Sequence, residues 1–195
     1  MEEQHNLPEN EEIRLEKAAL HKQMRLRQRE LTEAYISEAN AVIQDKVLAS
    51  PRYREANRIF MYLHTPKEPA TDRIVARALA EGKAVYVPKC IGKHEMLAVR
   101  IYDITDLEPG AYGIPEPRCC EETITADEAD LILTPCLSAS PDGKRLGHGA
   151  GYYDRFLAGN SEKTVCLCFG KMLCPDIPVT ELDVRMSEVI TEEQA

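Results

Sequence analysis

The chain has no tryptophan and only three phenylalanines among its 195 residues. Its core must therefore be built from aliphatic side chains, and the 44 % hydrophobic content is enough for one. We expect a disordered lead-in at residues 1–10 and a single domain over residues 11–195. No apolar run approaches the ~20 residues of a membrane helix, and the N-terminus lacks the apolar stretch of a signal peptide. We therefore expect a cytoplasmic protein with no membrane partner. We also expect the protein to be a monomer.

Positive charge is also scarce, because 24 Lys and Arg stand against 33 Asp and Glu, a net charge of −9. Such an acidic chain is a poor default partner for nucleic acid, and we expect it to bind none. A small anionic ligand remains compatible, since a local basic site outweighs the global field at short range. The seven cysteines show no spacing typical of a structural zinc site, so we expect reduced thiols.

Short apolar strands alternate with helices along the chain. Helices are predicted at about 11–31, 32–48, 70–83 and 152–160, and strands at about 58–63, 84–88, 96–102, 129–135, 163–169 and 187–191. This alternation predicts an α/β fold with a mainly parallel sheet and helices on both faces. Ligands of such folds bind at the carboxyl ends of the strands. The loops at 64–71, 88–95 and 135–151 are therefore expected to converge.

The most unusual stretch is "RLGHGAGYYDRFL", which places glycines at positions 147, 149 and 151. Glycine tolerates positive φ, and successive backbone N–H groups can then form a nest for an anion. The stretch opens a predicted helix, whose N-terminus also favours anions. The alternative is a glycine-rich turn that merely caps a helix. The glycines alone leave these two interpretations about equal.

Charged residues around this stretch favour a functional site. Arg145 brings paired donors suited to phosphate, and Asp154 is a hard carboxylate of the kind that holds Mg²⁺. In the first helix, Lys17 and His21 lie four residues apart and share a face, although many such faces are only solvated. Glu68 follows a predicted strand end, where a lone glutamate is usually solvated.

Together these segments resemble the 5-formyltetrahydrofolate cyclo-ligase family, also called methenyltetrahydrofolate synthetases, from about Lys17 to Thr191. The most specific piece, "GKRLGHGAGYYDRFL", is similar to the family signature G-x-R-L-G-x-G-x-G-Y-Y-D. Six more pieces follow the family's order: "KAALH", "YLHTPKEPAT", "EGKAVYVP", "LEPGAYGIPEP", "ADLILTP" and "IPVTELDVRMSEVIT". The resemblance implies a three-layer α/β/α sandwich with a mainly parallel central sheet.

The resemblance also implies an activity and its residues. Family members use ATP and Mg²⁺ to convert 5-formyltetrahydrofolate, a reduced folate, into 5,10-methenyltetrahydrofolate, ADP and phosphate. The resemblance implies that the formyl oxygen attacks the γ-phosphate, and that the folate N10 then closes the ring as phosphate leaves. Matching positions imply catalytic roles for Arg145 and Tyr152, ATP contacts by Lys17, His21, Arg145, Gly147, His148, Gly149, Gly151, Tyr152 and Tyr153, folate contacts by Leu63, Glu68 and Tyr112, and metal ligation by Asp154 and Asp183. His148 either touches phosphate or is a solvent-facing spacer.

Four positions depart from the family pattern. His21 stands where arginine is usual, Ala139-Ser140 where Phe-Asp is usual, Met172 where glutamine is common, and Ala150 where glycine or lysine is common. Asp142 lies near the missing carboxylate and is a candidate substitute. Two alternatives follow: an inactive or redirected member that binds nucleotide or folate, or an ATP-dependent ligase for another formylated or carboxylated substrate.

Overall fold

The computed structural model of the protein describes residues 9–110 and 113–193. Most of the predicted lead-in, residues 1–8, and the predicted folate contact Tyr112 lie outside the described residues. The helices are α1 (Glu9–Arg29), α2 (Glu33–Ala49), α3 (Pro51–Glu55), α4 (Asp72–Ala80) and α5 (Tyr152–Phe156). The strands are β1 (Arg58–Met61), β2 (Ala84–Gly92), β3 (Glu95–Ile101), β4 (Leu107–Pro109), β5 (Pro115–Pro117), β6 (Thr123–Ile124), β7 (Leu131–Thr134), β8 (Ser138–Ala139), β9 (Arg145–Leu146), β10 (Thr164–Leu167) and β11 (Glu188–Ile190).

A seven-stranded sheet in the order β11-β10-β7-β1-β2-β3-β6 forms the centre of the fold. The five strands from β11 to β2 run parallel, and β3 and β6 join by antiparallel pairing. Every residue of β7 and β10 is buried, although successive side chains of a strand point to opposite faces. Both faces of the central strands are therefore covered, and the predicted α/β fold with a mainly parallel sheet is confirmed.

Local sequence signals explain where the helices begin and end. Thr32 caps α2, as predicted, and its hydroxyl accepts a hydrogen bond from the Tyr35 N–H at 3.3 Å. Ser50 ends α2 and also caps α3, which starts at Pro51 and was not predicted. The helix predicted over 152–160 ends at Phe156, after little more than one turn. Within the described ranges, no helix combines the length and apolar character required to cross a membrane.

The second and third strands differ from the prediction because they form one long hairpin. We expected the first of them to stop at Pro88, but β2 continues to Gly92 and pairs with β3. Pro88 lacks the N–H that a central strand needs. It is tolerated because β1 pairs with β2 only as far as Tyr86, so that the strand beyond has β3 on one side. The expected loop at 88–95 is therefore mostly strand, and only Lys93 and His94 form the tip of the hairpin.

The carboxyl ends of the parallel strands bring distant segments to one edge of the sheet. Residues 62–71 leave β1 there, and residues 135–151 leave β7. Helix α1 lies across the same edge, where it contacts the turn Gly170–Met172 beyond β10. Segments from the start, middle and end of the chain therefore surround one location.

The central strand β7 is expected to dominate stability. Ile132 is fully buried between β1 and β10, whereas Ile104 is 61 % exposed. We predict that Ile132→Ala lowers the free energy of unfolding by about 3–4 kcal/mol through lost burial and a residual cavity. The matched variant Ile104→Ala should change it by less than about 0.5 kcal/mol. Urea unfolding measures both, and equal effects would contradict this placement of the core.

Candidate active site

The glycine loop, defined here as residues 145–154, uses its three glycines in two ways. Gly149 and Gly151 adopt left-handed backbone conformations, with φ of 102° and 69°. Gly147 does not, but a Cβ there would lie 3.0 Å from Arg145 Nη1, so the position has little room for a side chain. The predicted backbone freedom is therefore used at two of the three glycines, and close packing explains the third.

Arg145 is buried beneath this loop, with a side chain only 3 % exposed. Its Nη2 donates to Asp154 Oδ1 at 2.8 Å, and its Nη1 donates to the carbonyl of Pro135 at 3.3 Å. The Nε is buried and has no hydrogen-bond partner among the described residues. Burial lowers the pKa of the guanidinium, but Asp154 outweighs it and the pKa is raised. Arg145 is thus a permanent cation that joins the first residue of the loop to the last.

The two predicted metal ligands lie on adjoining segments. Asp154 Oδ1 also accepts the Val184 N–H at 3.3 Å, which places residue 183 beside the loop. Asp183 binds Lys17 Nζ through both carboxylate oxygens, at 2.6 and 2.5 Å, and its Oδ2 accepts the Thr180 N–H at 2.6 Å. Burial raises the pKa of Asp183, but the bonds from Lys17 and Thr180 outweigh it and leave the pKa lowered. Asp183 is therefore ionised at neutral pH.

These carboxylates fit a magnesium ion that arrives with a phosphate ligand. Within residues 9–110 and 113–193, no cluster of three or more His, Cys, Asp or Glu side chains is suited to hold a metal on its own. Asp154 and Asp183 supply two hard oxygen donors on neighbouring segments. Mg²⁺ is commonly held by one or two carboxylates together with substrate phosphates and water. The donor set matches that pattern.

Helix α1 turns one face towards the glycine loop. Lys17 pairs with Asp183, and Arg25 Nη2 donates to the carbonyl of His148 at 3.4 Å. Between them, the His21 ring lies 3.9 Å from where a Cβ on Gly149 would stand. Burial, followed by the positive charge of Arg25, lowers the pKa of His21, so the ring is neutral at pH 7. His21 therefore offers hydrogen bonding where an arginine would offer charge.

The segment after β1 holds the two described residues predicted to contact folate. Tyr62 donates its hydroxyl to the Pro69 carbonyl at 2.6 Å, which folds the segment back on itself. Glu68 is buried, and its Oε2 accepts the Thr65 N–H at 2.8 Å and the Thr65 hydroxyl at 2.7 Å. Burial raises the pKa of Glu68, but bonds from His148 and Thr65 outweigh it and leave the pKa lowered. Leu63 is half-buried and packs on the core.

Two histidines make contacts that the sequence did not reveal. His148 Nε2 lies 2.8 Å from Glu68 Oε1, so this ring joins the glycine loop to the segment after β1. From the sequence, His148 was considered either a phosphate contact or a solvent-facing spacer. The contact with Glu68 is neither, and no local feature of the glycine loop predicts it.

His94, at the hairpin tip, donates from Nδ1 to the Ala150 carbonyl at 2.6 Å. The Tyr152 hydroxyl donates to the Gly92 carbonyl at 3.3 Å, so the hairpin supports the loop twice.

The departures from the family pattern have clear locations. Asp142 contacts the Ser140 hydroxyl and Arg185, so an exposed ion pair engages the carboxylate proposed as a substitute. Met172 is buried in the core, and its carbonyl accepts a hydrogen bond from the Ser138 hydroxyl at 2.6 Å.

Tyr153, for which the resemblance implies an ATP contact, packs between two side chains. Its ring centroid lies 6.1 Å from that of Phe60 and 5.6 Å from the Arg145 guanidinium.

Fold and site together define an α/β protein with a glycine-rich loop and two carboxylates, Asp154 and Asp183, on adjoining segments at the carboxyl edge of its sheet. The sequence profile described as the 5-formyltetrahydrofolate cyclo-ligase family matches residues 9–192, and the chain belongs to this family.

The chain is similar to named relatives over most of their length. A probable 5-formyltetrahydrofolate cyclo-ligase of Caenorhabditis elegans is 36 % identical over 162 residues, covering 76 % of this chain and 79 % of the relative. The 5-formyltetrahydrofolate cyclo-ligase of Mus musculus is 30 % identical over 190 residues, covering 91 % and 94 %. The structure of Aquifex aeolicus 5,10-methenyltetrahydrofolate synthetase superposes with a TM-score of 0.81 at 24 % identity, covering 91 % of this chain and 90 % of that one, a likeness of fold.

The Lys17–Asp183 pair is expected to stabilise the fold in a pH-dependent way. The pKa of Asp183 is lowered in the folded protein, so the stabilisation is present above its ordinary value of 3.8 and is lost as pH falls through the folded value. We predict a coupling free energy of about 1–2 kcal/mol at pH 7 in a double-mutant cycle of Lys17→Met and Asp183→Asn.

Urea unfolding between about pH 7 and pH 2 measures this coupling, with the exposed Lys22→Met as the control lysine. The coupling should decline below about pH 4. A coupling that is absent at pH 7, or that does not change in acid, would contradict the assignment.

Proposed function

We propose that this chain is an ATP- and Mg²⁺-dependent cyclo-ligase that converts 5-formyltetrahydrofolate into 5,10-methenyltetrahydrofolate, ADP and phosphate. One observation carries the proposal. The glycine loop contacts α1, which bears the predicted nucleotide residue Lys17, and it also contacts Glu68, the predicted folate residue, at 2.8 Å. Direct phosphoryl transfer from ATP to folate requires the two sites to adjoin in this way.

The nucleotide side is suited to charge neutralisation, the main requirement of phosphoryl transfer. Lys17 and Arg145 supply two cations, and the left-handed turns at Gly149 and Gly151 are backbone conformations of the kind that forms an anion-binding nest. Helix α5 has five residues, so it adds its terminal N–H groups and little macrodipole. Mg²⁺ held by Asp154 and Asp183 would neutralise charge that develops on the transferred phosphate. To bind the metal, Asp154 would give up its ion pair with Arg145, and Asp183 would give up its ion pair with Lys17.

The folate side is suited to orientation of the substrate. Glu68 is ionised and fixed by Thr65, so its carboxylate can accept hydrogen bonds from N–H groups of a reduced pterin near the reacting nitrogens. Leu63, in the same segment after β1, offers an apolar side chain that is only partly buried. Tyr112 as an aromatic platform remains a prediction. Tyr152, the first residue of α5, is held by the hairpin through its hydroxyl.

The direct test mixes purified protein with 5-formyltetrahydrofolate, ATP and Mg²⁺, and follows methenyl product by absorbance and ADP by a coupled assay. We expect one ADP for each methenyltetrahydrofolate formed. Binding of folate without product would indicate an inactive or redirected family member. ATP turnover with only a different formylated or carboxylated compound would indicate another ligase. Either result would overturn the proposal.

Lys17 provides a sharper test of the nucleotide site. Lys17→Met should raise the KM for ATP about 10- to 100-fold, because a charge-assisted phosphate contact contributes about 1.5–3 kcal/mol. The dissociation constant for 5-formyltetrahydrofolate should stay within about twofold. Lys22→Met, which removes an exposed lysine from the same helix, should change neither quantity. Equal losses in ATP and folate affinity would show that Lys17 serves the fold alone.

A further inference from the structure

The contact between His148 and Glu68 joins two segments that are predicted to serve different ligands. His148 belongs to the loop proposed to bind the triphosphate, and Glu68 to the segment proposed to bind folate. Their side chains meet at 2.8 Å between Nε2 and Oε1. This is a hydrogen bond with a neutral ring and an ion pair with a protonated one. A ligand that engages either side chain must therefore compete with the other.

The two partners differ in freedom of movement. The Glu68 side chain is 6 % exposed, and its second oxygen is held by the N–H and hydroxyl of Thr65. The His148 side chain is 44 % exposed, and it lies between Gly147 and Gly149. Flanking glycines allow the backbone to rotate with little steric cost. When a ligand competes for the contact, we therefore expect His148 to move and Glu68 to stay.

The groups around His148 determine what the released ring would meet. Arg25 donates to its carbonyl, and the pKa of His21 is depressed first by burial and then by the charges of Arg25, His148 and Lys17. On the side of α1 the ring thus faces cations and a neutral imidazole, and Glu68 is the carboxylate that it contacts. Once Glu68 is engaged elsewhere, a bound phosphate would be the nearest anion available to the ring.

We propose that His148 acts as a latch that couples the folate and nucleotide sites. The first ligand to bind must break the contact between His148 and Glu68, and the second finds its own partner already released. Each ligand then strengthens the binding of the other by the same factor, as thermodynamic linkage requires. His148 is in this respect a positioning residue, because it acts on folate through Glu68. The inference rests on the proposed function and extends it to the order and synergy of substrate binding.

The experiment measures the dissociation constant of 5-formyltetrahydrofolate by calorimetry, with and without saturating Mg²⁺ and a non-hydrolysable ATP analogue. For the unaltered protein we expect the analogue to tighten folate binding about fivefold, which corresponds to a partly exposed ion pair. The reciprocal titration should give the same factor. In His148→Ala, folate alone should bind about fivefold more tightly than to the unaltered protein, and the analogue should add almost nothing.

His94→Ala is the matched control. It removes another histidine contact to the glycine loop, at Ala150, and leaves the contact between His148 and Glu68 intact. Coupling should persist in this variant. His148→Gln retains a neutral donor and should give an intermediate coupling factor. Thermal unfolding of each variant checks that the fold is retained, which the exposure of His148 leads us to expect.

Other outcomes would overturn the latch. If His148→Ala weakens nucleotide binding and leaves the affinity for folate alone unchanged, His148 is a simple phosphate contact. If neither affinity changes, it is a spacer. Failure of the proposed function is separate, because absence of methenyl product from the unaltered protein is observed independently of the coupling factor, which needs no turnover. If the unaltered protein binds no 5-formyltetrahydrofolate, the proposed function and the latch both fail.

Discussion

The buried ion pair between Arg145 and Asp154 is the interaction on which the site depends. It joins the two ends of the glycine loop, so the backbone between them must turn sharply at Gly149 and Gly151. Removal of Asp154 would leave Arg145 as an uncompensated buried charge, which typically costs about 3–5 kcal/mol. Asp154 also holds the N–H of Val184, and the neighbouring Asp183 then reaches Lys17. One buried pair thus determines where a distant carboxylate and helix α1 meet the loop.

The same side chains serve the fold and, on our proposal, the ligands. Lys17 with Asp183 and His148 with Glu68 each pair a basic group with a carboxylate from another segment, and Arg145 with Asp154 pairs the two ends of the glycine loop. An acidic protein can thus keep several basic side chains in one site, because a carboxylate neutralises each of them until a ligand binds. On our proposal, phosphate would bind the basic member of such a pair, and magnesium would bind the carboxylate. Binding then exchanges contacts and requires no new charge to be buried alone.

Much of the fold could be predicted from the sequence, because it rests on local patterns. Apolar strands alternating with helices indicated the parallel sheet, and Thr32 marked the start of α2. The signature stretch identified the residues of the glycine loop. The hairpin of β2 and β3 was missed because Pro88 looks like a strand end until the neighbouring strand is known to stop at Tyr86. The contacts of His148 and His94 depend on segments about 80 and 56 residues away, so no local pattern could show them.

A structure determined with Mg²⁺ and a non-hydrolysable ATP analogue tests the central claim most directly, namely that α1, the glycine loop and the segment around Asp183 form one nucleotide site. The distance from Lys17 Nζ to the Asp183 carboxylate, now 2.5 Å, is the quantity to measure. We predict that the two separate, with Lys17 on a phosphate oxygen and Asp183 facing the metal. A nucleotide bound elsewhere, with the Lys17–Asp183 pair unchanged, would contradict the account.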